Sequence, residues 1–157
     1  MDSEREIIET HAGRDRIALI ADSHARLTGR ALVAGGGDIA AALWSLPAVV
    51  LAHGVEDDPV FFYANRAALD LFELSAREAI ALPSRYSAEA VERAERMRLF
   101  ERVRRDGFID DYAGVRVSQT GRRFHIARAT VWTLFDEAGR KYGEAATFDT
   151  WTPLPPA

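Results

Sequence analysis

The stretch Phe61–Leu74, FFYANRAALDLFEL, changes its repeat at a single residue. Up to Ala64 it is a short run of aromatics with the look of a strand. Beyond Asn65, residues Ala68, Leu69, Leu71 and Phe72 recur at the three- and four-residue spacing of a helix with one buried face. Asn65 stands at the join, and an asparagine side-chain oxygen accepts a backbone N–H two or three residues on. The strand thus ends, and the helix is capped, at the same residue.

Working outward, AVVLAH (Ala48–His53) is brief and β-branched, GVEDDP (Gly54–Pro59) is a turn, and VFFYA (Val60–Ala64) is a second strand. Downstream, Ser75 and Glu78 have capping-box spacing and start a short helix before Pro83. Ser87 is positioned to cap a longer helix, Ala88–Arg105, with Val91, Ala94, Met97, Phe100 and Val103 as its apolar stripe. The pairs Glu89–Arg93, Glu92–Arg96 and Glu101–Arg105 mark its solvent face, and Gly107 its left-handed stop. Three strands follow, Asp111–Gln119, Arg122–Phe135 and Lys141–Phe148, joined by Thr-Gly and Asp-Glu-Ala-Gly turns into an antiparallel meander.

On the N-terminal side, Ser3 and Glu6 form another capping-box pair, and Ile7, Ile8, Ile17, Ile20, Ala21 and Leu27 recur at helical intervals, with Gly13 as a bend. The Gly-rich AGGGD (Ala34–Asp38) is a linker, and Asp38 caps a short helix that must stop at Pro47. The helical segment before Gly29 carries more apolar surface than a lone helix keeps. It is expected to pack on the outer sheet face, or across a two-fold axis in a homodimer.

The 157-residue chain is long enough for one domain with a core of its own. It has no cysteine, which excludes disulfides, thiolate metal sites, thiol catalysis and cysteinyl-flavin photochemistry. Twenty basic and 24 acidic residues, net charge −4, lack the footprint of direct nucleic-acid binding. No apolar run reaches the ~18–20 residues of a membrane span, and the N-terminus has no signal-peptide h-region, so a cytoplasmic location is expected.

Two strands, short helices, a longer helix and a three-stranded meander is also the element order of PAS domains. In finer detail LAHGVEDDPVFFYANRAALDLFEL, LPSRYSAE, GFIDDYAGVRVSQTGRRFHIARATVW and GEAATFDTW resemble the MEKHLA domain, a PAS-like family. The resemblance implies an α+β fold: a five-stranded antiparallel sheet with helices covering one face, here with an N-terminal helical extension. It divides the chain into an extension and linker (1–37), the PAS-like domain (38–152) and a tail (153–157). It implies a sensory or interaction module, stand-alone as in bacterial members, and carries over no catalytic residue.

Candidate sites are few. His53 with Glu56, Asp57 and Asp58 has metal-ligand chemistry, against a plain reading as a solvated turn. His125 could serve as a haem ligand, but it lies in a strand, whereas haem-binding PAS domains generally take theirs from a helix. Asp110 and Asp111 are adjacent on a strand and point to opposite faces, so they cannot share a substrate. Tyr112, Gly114 and Arg116 share one face by the two-residue period, and Arg123 and His125 share a face of the next strand. Arg116, if covered, needs an acceptor from the protein or from a ligand. Small residues ringed by Phe62, Tyr63, Phe72, Trp132 and Phe148 suit either a pocket or a filled core. With Asn65 and Arg85 of the resembling segments, the candidate ligand set is Phe62, Tyr63, Asn65, Phe72, Arg85, Tyr112, Arg116, Arg123, His125 and Trp132. The expected ligand is a small organic acid or a protein partner. Tightly bound haem or flavin, a ligand-free scaffold, and a small enzyme using Tyr and His as acid and base are the competing readings.

Overall fold

A computed structural model describes residues 2–88 and 90–156, with side chains throughout except at 90–93 and 96. The elements run α1 (Ser3–Ala12), α2 (Arg14–Thr28), α3 (Ile39–Ser45), β1 (Val49–His53), β2 (Phe61–Ala64), α4 (Arg66–Phe72), α5 (Ala76–Ala79), a 3₁₀ turn (Ser84–Ser87), α6 (Ala90–Asp106), β3 (Phe108–Val117), β4 (Arg123–Phe135), β5 (Lys141–Phe148) and β6 (Trp151–Pro153). The fold is α+β, with a wholly antiparallel sheet in the order β2-β1-β5-β4-β3. A sixth short strand, β6, pairs with Phe124–Ile126 of β4. Pro153, read as the first residue of the tail, therefore ends a strand of the sheet.

Asn65 explains the corner. It is fully buried, and its Oδ1 accepts from Ala68 N (3.1 Å), the helix cap, and from Val50 N (3.0 Å) in the neighbouring strand. Its Nδ2 donates to Leu43 O (3.0 Å) and Ala48 O (2.8 Å), the end of α3 and the approach to β1. One amide thus satisfies four backbone groups from four segments. Ser75 and Glu78 form the reciprocal capping box that launches α5.

The N-terminal helices lie against the sheet of their own chain. In α2, Ile17, Ile20, Ala21 and His24 make the buried stripe, Trp132 Nε1 donates to Ile20 O (3.1 Å), and Phe135 N donates to Ser23 Oγ (3.1 Å). The apolar face that needed a cover is spent within the chain. Gly13, with φ +84°, separates α1 from α2. The cap of α1 is Asp2 rather than Ser3, and its carboxylate also takes Trp44 Nε1 (3.2 Å) and Arg66.

Helix α6 departs from the sequence reading. Ser87 closes the 3₁₀ turn instead of capping a helix at Ala88, and its hydroxyl donates to Ser84 O (2.7 Å). Met97, placed on the apolar stripe, is 69% exposed, while Leu99 and Val103 are buried. The three-residue repeat lags the 3.6-residue turn, so Met97 drifts off the face that Leu99 and Val103 hold. Arg105 pairs with Asp106. The expectations for Val91 and for the pairs Glu89–Arg93 and Glu92–Arg96 fall on residue 89 and on side chains outside the described ones.

Candidate functional site

The sheet face opposite α2 is covered by the segment from α4 to α6. Between them is a cavity of about 50 Å³, with Leu51, Phe61, Ile126, Val131 and Phe148 from the sheet and Leu99 and Phe100 from α6 in its wall. Its polar wall groups are His53, Glu144, Tyr112, Arg116 and Ser87.

Two glycines shape this wall. At Gly114 an added Cβ would stand 2.6 Å from Tyr112 Oη, so the missing side chain is what lets the Tyr112 phenol lie along its own strand. Arg116 then sits over the Tyr112 ring, 5.1 Å from its centroid. Tyr112 is 7% exposed, and its hydroxyl has no hydrogen-bond partner among the described residues. At Gly143, φ is +144° and an added Cβ would fall 1.8 Å from His53 O. That close approach sets β5 against β1 and brings Glu144 to His53.

His53 and Glu144 are both buried, with Nδ1 3.7 Å from Oε2. Nδ1 is also 3.0 Å from Gly54 O, which assigns its proton to that nitrogen. The ring meets Phe100 edge-on at 5.5 Å. Lys141 Nζ lies 2.7 Å from Glu144 Oε1 and neutralises it from the rim. The acidic turn residues do not join His53: Glu56 accepts from Val60 N, and Asp58 holds Arg85. Among the described residues no group of three or more His, Asp or Glu could hold a metal ion.

Of the ten candidate residues, the cavity gathers Phe72, Tyr112 and Arg116. The others stand elsewhere. Trp132 points to the opposite face, under α2. A register shift at Ala52–His53 pairs Tyr63 with Ala52 rather than with a cavity-facing residue. Phe62 accordingly lies beneath Arg16 of α2 (4.2 Å), and Tyr63 beside Arg5 and Glu9 of α1, its phenol pKa raised by burial. Asn65 is spent on the backbone. Arg85 is held by Asp58 at 3.0 Å, outside the cavity. Arg123 and His125 share the other face of β4; Arg123 reaches Pro155 O, and His125 is exposed opposite Val115 and Thr152. His53, Glu144 and Ser87 were not in the candidate set. The signal for Glu144 was a lone acid in the small-residue run GEAATF, beside a glycine.

The sheet order, the helices over one face and the cavity beneath them define a PAS-like fold. Solved structures agree: a PAS domain from Colwellia psychrerythraea matches with TM-score 0.60 at 13% identity, over 73% of this chain and 92% of that one. The light-state dimer of the fungal blue-light photoreceptor Vivid matches with TM-score 0.60 at 14% identity, over 86% and 93%. The chain belongs to the MEKHLA domain family, whose sequence model matches residues 14–153. That match begins in α2, inside the segment read as an extension. Among curated proteins, the homeobox-leucine zipper protein ATHB-9 of Arabidopsis thaliana is 28% identical over 123 residues. The alignment takes in 75% of this chain and 14% of that protein.

Proposed function

We propose that this chain is a non-catalytic sensory or interaction module that binds a small organic acid between the sheet and α6. The observation that carries the reading is Tyr112 Oη: a buried donor, at the cavity wall, with no acceptor among the described residues. Leaving such a group unpaired costs ~1–3 kcal/mol, a cost that a ligand oxygen would recover. Arg116 beside it supplies positive charge, and the charge of Glu144 is already met by Lys141.

Support for a non-catalytic role comes from how the reactive groups are engaged. Ser87 Oγ donates to a carbonyl rather than to a base, and His53 Nδ1 is committed to Gly54 O. The cavity is also far below the ~300–1,000 Å³ of most small-molecule sites, so haem or flavin would have to push α6 away. Without any cysteine, the thiol adduct of flavin photochemistry cannot form.

The test is thermal denaturation against a panel of small organic acids. Saturation at ~100 Kd contributes about 2.7 kcal/mol, which for a chain of this size raises Tm by roughly 5–10 °C. Tyr112→Phe removes the orphaned hydroxyl, so it should leave the ligand-free Tm unchanged or higher and diminish the ligand-induced rise. A panel with no shift in the wild type, together with a destabilised Tyr112→Phe, would favour a ligand-free scaffold.

A further inference from the structure

Helices α1 and α2 are separated by one residue. Gly13 stands between them with φ 84° and ψ 149°, a conformation essentially reserved for glycine, and an added Cβ there would meet nothing within 4 Å. The break leaves loose ends on both sides. No side chain caps the start of α2, and its first main-chain bond runs from Ile17 N to Gly13 O. The N–H groups of Arg14, Asp15 and Arg16 therefore stay outside its ladder. The last carbonyls of α1 are taken by a side chain: Arg16 Nε donates to Ala12 O (2.7 Å) and Nη2 to His11 O (2.8 Å). With helical φ and ψ at Gly13, those three amides would bond the carbonyls of Thr10, His11 and Ala12, and the two helices would become one. The closed hinge gives up these bonds and latches two of the acceptors with the Arg16 guanidinium.

Straightening the hinge also turns α1 away from its seat. At about 100° per residue, Ile8 and Ala12 would centre about 150° around the continuous helix from the stripe of Ile17, Ile20, Ala21 and His24 that faces β4. The seat left behind is matched to α1 group by group. Ile8 and Ala12 are buried in it, Asp2 accepts from Trp44 Nε1 and pairs with Arg66, and Glu4 Oε2 accepts from Ala76 N. An arm that swings out exposes Ile8 and strands two carboxylates. The groups that would receive all of them again are those of an identical seat.

We propose that α1 is an exchangeable arm whose partner is a second copy of this chain. With Gly13 helical, α1 of each protomer fills the empty seat of the other, giving a two-fold swapped dimer. The arm is seated on its own body at low protein concentration and exchanged at high concentration. It lies ahead of the family match, which begins at residue 14.

The experiment measures mass in solution by light scattering, on the full chain from micromolar to millimolar concentration. Gly13→Ala disfavours the closed hinge in both protomers, so the variant should dimerise about tenfold more tightly than wild type, or better. Arg16→Ala, which unlatches the two carbonyls, should shift the balance the same way. A charge swap in the Gly13→Ala background separates exchange from any other dimer. Asp2→Arg sets the arm against Arg66, and Arg66→Asp sets the seat against Asp2. Neither chain matches a seat of its own kind, whereas an equal mixture restores both pairs, each between protomers. The mixture should form a heterodimer, resolved by native mass spectrometry, while each chain alone stays largely monomeric. A Gly13→Ala chain that is monomeric throughout and only loses Tm would overturn the inference. So would a mixture no more dimeric than its separate components. If Gly13→Ala is insoluble, the same charge swap with Gly13 retained decides: a heterodimer supports exchange, and two monomers overturn it.

Discussion

Replacing Asn65 by alanine should cost far more than a helix cap. The lost cap alone costs ~1 kcal/mol, and more is expected where the amide also ties down the turn. The structure adds three further bonds: Val50 N–H into Oδ1, and Nδ2 into the carbonyls of Leu43 and Ala48. Asn65 is 0% exposed, and Leu43 and Val50 beside it are equally buried. Alanine leaves two backbone donors and the Ala48 carbonyl without their partner, while Leu43 O keeps its bond from Leu46 N (3.4 Å). Each buried unsatisfied group costs ~1–3 kcal/mol, donors toward the upper end because a carbonyl tolerates a missing bond better. Partial relaxation lowers the sum, so about 4–6 kcal/mol is expected. In a chain of this size that is a fall in Tm of roughly 10–20 °C. Urea unfolding gives the free energy directly, with Ser75→Ala as control, since Ser75 caps α5 at an exposed site and should lose only ~1 kcal/mol. Asn65→Asp keeps the acceptor and loses both donations, setting a carboxylate against two carbonyls. It should be at least as destabilising as alanine near neutral pH. If Asn65→Ala costs no more than Ser75→Ala, the four-bond reasoning is refuted.

Gly143→Ala places a Cβ 1.8 Å from the His53 carbonyl oxygen at a φ of +144°, so it should unfold the protein or cost several kcal/mol; soluble expression with an unchanged Tm would contradict the close approach. Glu73 has its pKa held below the usual carboxylate range by hydrogen bonds from Thr120 and then Ser118. Its contribution is present above the unfolded value of ~4.3 and is lost as pH falls through the lower folded value. The stability gap between wild type and Glu73→Gln should therefore close in acid, and a gap independent of pH would argue against it. Amide exchange should be faster in the C-terminal half of α6 than in α2, because among the described side chains from residue 94 on only Leu99 and Val103 are buried, whereas α2 buries five residues and is bonded to β4. Equal protection in the two helices would count against that ranking.

The strand-to-helix corner was legible because a cap is a local device: Asn65, Ser75 and Asp38 act on N–H groups three residues away. The same locality made the face shared by Tyr112, Gly114 and Arg116 readable from the two-residue period. The misplacement of Phe62, Tyr63 and Trp132 has a different origin. Aromatic composition says that a side chain is buried and not which side of the sheet buries it. Here both sides are covered, by α2 on one and by the helices after β2 on the other. The register shift at Ala52–His53 further reverses what simple alternation would give for Tyr63. The partnership of His53 with Glu144 was hidden because it joins residues 91 positions apart through a β1–β5 pairing, and Gly143 fixes it through a contact that sequence cannot show.

The two covered faces are not equivalent, and the difference places the candidate site. Against β4, α2 brings Ile17 and Ile20, an indole hydrogen bond and the Ser23 bonds to Phe135, which close the outer face with matched polar groups. On the inner face, α6 reaches the sheet with Leu99, Phe100 and Val103, while Arg102 pairs with Asp111 at the exposed edge (3.1 Å). Phe100 rests its ring on His53, so the helix and the cavity wall share a contact. A close-packed outer layer tolerates little displacement. On the inner layer the surface ion pair adds little, because such pairs contribute ~0–1 kcal/mol. Polar groups line a space beneath α6, whereas the polar groups beneath α2 are matched with one another, and it is this difference that supports the proposed site.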